Sequence, residues 1–71
     1  MNATIDLLDP VALLNDLPAR GLLRGQVGTV VEVLGPEDFE VEFVDREGRT
    51  YAQLALNASS LIQLRYEPAA A

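Results

Sequence analysis

From Phe39 to Val44 the chain reads Phe-Glu-Val-Glu-Phe-Val, which sets Phe39, Val41 and Phe43 on one side and Glu40 and Glu42 on the other. A repeat of two is the repeat of an extended strand with one buried face, and a helix cannot use it. The flanking segments are also strand-like. Gly28–Leu34 is dense in β-branched residues, Arg49–Leu56 follows Phe39–Val44 as a further strand, and Leu61–Tyr66 closes the run. Val11–Asn15 opens the series. Turn chemistry separates the segments: Gly35-Pro36-Glu37-Asp38 makes one tight turn, and Asp45-Arg46-Glu47-Gly48 carries Asp first and Gly last. Asn57–Ser60 reads as a short break, such as one 3₁₀ turn.

Five short strands at close spacing, with no helical period between them, predict an all-β fold, a small five-stranded SH3-like barrel. At 71 residues the chain has room for a single hydrophobic core. One domain over residues 1–71 is therefore expected, with an ordered core from about residue 9 to about 66 and a frayed tail at 67–71. Cysteine is absent, so no disulfide braces the fold, and an apolar content of 49% has to supply the core instead.

The turn spacing also predicts a register. Val33 is set opposite Val41 and Val31 opposite Phe43, all inward, with Phe43 opposite Thr50 and Val41 opposite Ala52. The outer face then carries Val30 and Glu32, next Val44, Glu42 and Glu40, and next Arg49, Tyr51 and Gln53. Glu32 and Glu42 fall opposite each other, an arrangement that destabilises unless a cation answers it.

Composition excludes more chemistry than it supports. With neither histidine nor cysteine, the chain lacks the commonest general base, the commonest nucleophile and the best transition-metal ligands. Glu40 and Glu42 alternate on a solvent-facing strand rather than in a cleft, so no enzyme, cofactor or metal is expected. The glycines of Gly21–Gly28 lead into a β-branched strand without lysine, which fits a bend and not a phosphate loop. Eleven acids against five arginines give a net charge of −6, the wrong sign for a phosphate backbone or an anionic membrane. Residues Met1 to Asp9 have no basic start and contain two acids, so a cytoplasmic location is expected.

The segment Asp16-Leu17-Pro18-Ala19-Arg20-Gly21-Leu22-Leu23-Arg24-Gly25-Gln26-Val27-Gly28-Thr29-Val30-Val31 resembles the signature of a bacterial family of small domains of unknown function. The resemblance extends through Phe39–Phe43 and Gly48 and covers roughly Leu8 to Leu64. It implies an SH3-like barrel in which Asp16–Gly25 is a long loop after the first strand, and it brings no catalytic residues. Gly25-x-x-Gly28-x-Val30 is also similar to the KOW motif of RNA-contacting barrels, from which this chain departs in lacking lysine. The glycine-valine pattern resembles the SH3-like parts of nitrile hydratase β-subunits as well. The reading that results is a protein-binding module of antitoxin, immunity or accessory type. Its partner-binding residues are Val30, Glu32, Glu42, Val44, Tyr51 and Gln53, with Tyr51 as anchor and the glutamates as steering charges. A KOW-like RNA-associated barrel and a homo-oligomeric component are the alternatives.

Overall fold

The structure is a computed structural model that describes residues 5–68. Residues 1–4, and residues 69–71 of the tail expected to fray over 67–71, lie outside the described residues. Five strands form one antiparallel sheet: β1 (Pro10–Leu13), β2 (Val27–Val33), β3 (Asp38–Val44), β4 (Thr50–Asn57) and β5 (Leu61–Gln63). Their order across the sheet is β4-β3-β2-β1-β5. The described residues contain no α-helix, only single 3₁₀ turns at Pro18–Arg20 and Ala58–Ser60. β4 and β5 are the two edges and do not pair with each other, so the sheet is open there.

The alternation in β3 builds the core directly. Phe39, Val41 and Phe43 are buried and pack with Val11, Leu13, Val30, Leu54, Leu56 and Leu61, while Leu22 joins them from the loop after β1. The Asp45 carboxylate accepts from the backbone N–H groups of Glu47 and Arg49, both at 2.9 Å, and Gly48 takes a φ of 83° to close that turn. Asn57 caps the second 3₁₀ turn by accepting from the Ser59 N–H at 3.0 Å. β5 is shorter than the expected span of Leu61–Tyr66. Its neighbour β1 begins at Pro10, whose carbonyl takes the Leu64 N–H at 2.9 Å, and beyond it no strand remains to pair with.

The predicted register is corrected in two ways. First, the β2–β3 hairpin is tighter, with Leu34 N–H donating to the Asp38 carbonyl at 2.8 Å, so the partners are Val33↔Phe39 and Glu32↔Glu40. Between β3 and β4 the pairs are Phe43↔Ala52 and Val41↔Leu54, two residues along from those expected. A shift of two preserves the alternation of faces, but Val33, expected in the core, is about half exposed at the end of β2.

Second, two bulges change faces. An irregularity between Val30 and Glu32 lets Val30 pair with Val41 and point into the core, where it is fully buried. Val30 therefore does not belong to the exposed face. A second irregularity sits opposite Phe43 and Val44, which pair with Ala52 and Thr50 and leave Tyr51 between. Thr50 turns outward, and its hydroxyl donates to the Glu42 carboxylate. The Tyr51 ring lies 6.2 Å from that of buried Phe43, so Tyr51 covers the rim of the core instead of standing on the outer face.

Candidate functional site

The long loop from Leu14 to Gln26 is held by its own residues. Asp16 accepts from the Arg24 N–H at 2.8 Å, and Leu17 and Leu22 exchange two backbone hydrogen bonds around the Pro18–Arg20 turn. The Gly25 N–H returns to the Leu13 carbonyl at 2.8 Å. Gly28 is buried where β2 crosses β3, and a Cβ there would lie 2.6 Å from Val41 Cγ1 and 2.9 Å from the Glu42 carbonyl oxygen. These residues bond to and pack against the chain itself, which is what a loop bending into β2 requires.

The outer face offers two different surfaces. Toward one end, Glu32 and Glu40 are directly opposed on β2 and β3, and Glu42 follows on the same face between Thr29 and Gln53. Gln53 Nε2 donates to Glu40 at 3.3 Å and Thr50 to Glu42, but among the described residues none of these three glutamates enters an ion pair. The only ion pairs there join Arg49 to Asp45 and Glu47. The second surface is apolar. Ala12 pairs with Val27 on one side and Ile62 on the other, and continuing the Thr29↔Glu42 register by two residues sets Val27 beside Val44. Val27, Val44 and Ile62 are about half exposed and Ala12 is buried between Val27 and Ile62, so the row crosses four strands beside the acidic group and exposes apolar side chains on three of them.

Of the six residues selected from the sequence, Glu32, Glu42, Val44 and Gln53 come together on the outer face. Tyr51 stands at its rim, where its hydroxyl accepts from Gln26 Nε2 at 3.2 Å, and Val30 is inside. Glu40, Val27 and Ile62 complete the face and were not selected. The alternation of Val27 and Thr29 with Gly28 and Val30 carries the signal for Val27.

Charge is distributed unevenly along the strands. The β1–β2 loop and the β3–β4 turn lie at one end and bring Arg20, Arg24, Arg46 and Arg49 together with only three acids, Asp16, Asp45 and Glu47. The other eight acids lie on the strands and toward the far end with Arg65 alone. The negative field is therefore a property of one half of the molecule.

Sheet order and charge together define a small, all-antiparallel domain with one acidic half. The chain belongs to the family described as a domain of unknown function, DUF4926, whose model matches residues 7–63. No curated protein and no solved structure matches it. No helix among the described residues is long and apolar enough to cross a membrane.

Proposed function

We propose that this domain is a non-catalytic protein-binding module of SH3-like topology, which receives a basic partner on the outer face of β2, β3 and β4. The SH3-like reading is supported by the strand order β4-β3-β2-β1-β5 and by the single 3₁₀ turn linking β4 to β5. The binding reading is carried by one observation: Glu32 and Glu40 are opposed and Glu42 is adjacent, and among the described residues no cation is paired to any of them. Opposed like charges cost roughly 0.2–1 kcal/mol of stability, a cost that a cationic partner removes on docking. Glu32, Glu40 and Glu42 steer the approach, while Val44 and Gln53 supply contact area on the face and the half-exposed Tyr51 adds to it from the rim. An antitoxin, an immunity protein or an accessory protein that masks a basic site is the role such a face fits.

The test is a tagged Glu32→Arg/Glu42→Arg variant compared with the wild type in capture from the cytoplasm of its own cells. Both introduced cations land beside Glu40, so the variant is expected to melt at a higher temperature while losing the partner that the wild type retains. A variant that captures the same protein equally well removes the acidic face from the function.

The second reading, a KOW-like RNA contact, draws on Arg20, Arg24 and Arg46, which are exposed at the other end. Filter binding to RNA at low salt separates the two readings, and RNA retained equally by wild type and variant would move the function to the arginine end.

A further inference from the structure

β4 is an edge strand eight residues long, and none of its residues is charged or proline. Edges of this kind are ordinarily blunted by lysine, proline or inward charges, because their free N–H and C=O groups template another strand. The absence is local. The chain holds sixteen charged residues, yet none falls between Thr50 and Leu64.

The direction of the free groups follows from the ladder. Alternate residues of an antiparallel pair turn their backbone groups toward the neighbour. The Ala58 N–H donates to the Glu37 carbonyl at 2.8 Å, in register with Asp38↔Asn57. Leu56, Leu54 and Ala52 therefore bond to β3, and Asn57, Ala55 and Gln53 present their backbone groups to the open side.

The sequence of this edge reads the same in both directions. Ala52-Gln53-Leu54-Ala55-Leu56-Asn57-Ala58 is alanine, amide, leucine, alanine, leucine, amide, alanine, centred on Ala55. From this symmetry and the open edge we infer that β4 pairs antiparallel with β4 of a second copy about a two-fold axis at Ala55. The two Ala55 residues exchange two hydrogen bonds, and each Asn57 N–H meets the Gln53 carbonyl of the other copy. Leu54 of one copy lies beside Leu56 of the other on the core side, and Gln53 lies beside Asn57 on the outer side. An isologous contact needs a self-complementary patch, and with a net charge of −6 per copy this uncharged edge brings no like charges face to face. Two open sheets become one continuous sheet of ten strands, with the acidic faces of both copies on the same side. This inference does not depend on the identity of any basic partner.

Sedimentation velocity from about 10 µM to about 1 mM tests it, a range that covers the weak affinity expected of a narrow edge contact. The wild type is expected to shift from monomer to dimer with concentration. Because Ala55 lies on the axis and is exposed, Ala55→Lys and Ala55→Glu each place like charges against themselves and should raise the dimer Kd by at least about tenfold. An equimolar mixture of the two variants pairs opposite charges and should restore the dimer. Amide spectra of each variant check that the fold is intact. A wild type that stays monomeric, a dimer that survives both single variants, or a mixture that stays monomeric would each overturn the pairing.

Discussion

Gly28→Val is expected to abolish the native fold, and Gly28→Ala to cost about 3 kcal/mol, the upper end of what an overpacked core costs. Gly28 does not have a positive φ, so its role is space and not backbone freedom. An added Cβ meets Val41 Cγ1 at 2.6 Å, the Glu42 carbonyl oxygen at 2.9 Å and Phe43 Cδ2 at 3.0 Å. Val41 and Phe43 are fully buried and the carbonyl is fixed in the sheet, so none of the three can give way cheaply. A domain of this size has a total stability of about 4–10 kcal/mol, which makes a loss of that size visible as a large fall in the urea midpoint. Gly35→Ala is the control, because its nearest contact would be Asp38 Oδ2 at 3.8 Å. Equal midpoints for Gly28→Ala and Gly35→Ala would show that β2 can move off β3 without cost.

Leu22→Ala should cost about 2–5 kcal/mol, as for other buried leucines. Leu22 is 1% exposed and is the fully buried side chain that ties the long β1–β2 loop to the core, whereas its neighbour Leu23 is 62% exposed. Leu23→Ala should stay within about 0.5 kcal/mol of the wild type. Amide exchange locates the effect: without Leu22, the Leu17, Leu22 and Arg24 amides should exchange faster than those of β3. If the two alanine variants unfold at the same midpoint, the loop is held by its hydrogen bonds alone.

The contrast between these two leucines shows where the sequence is legible. β3 is readable because charge and bulk alternate strictly, and the same is true of its turns, where Asp45, Gly48 and Asn57 act through local hydrogen bonds and backbone angles. Thr29-Val30-Val31-Glu32-Val33 has no such alternation: three of its five residues are valine, so the pattern does not say which of them faces the core. The bulge around Val31 settles that by non-local packing, putting Val30 inside while the charge keeps Glu32 outside. Tyr51 is moved in the same way by the second bulge, to where its ring meets Phe43. For this reason the face of the candidate site was legible at Glu32, Glu42, Val44 and Gln53 and not at Val30 or Tyr51. The opposition of Glu32 to Glu40 in place of Glu42 came from hairpin length alone, which one residue pattern does not determine.

The strand order also sets a time order. β2, β3 and β4 follow one another through short turns, whereas β1 and β5 bring together residues about 50 positions apart. Closing a loop of about 50 residues instead of about five costs roughly 2 kcal/mol more in chain entropy. The three-strand meander therefore has the entropic advantage in folding, and the three-residue β5 is expected to dock last and to leave first. Native-state amide exchange reads this directly: the Ile62 and Leu64 amides should open at lower free energy than those of Phe39, Val41 and Phe43. Equal opening energies would mean that the sheet comes apart as one piece. Otherwise the molecule has a hinged seam, and its weakest join lies where the two distant parts of the chain meet.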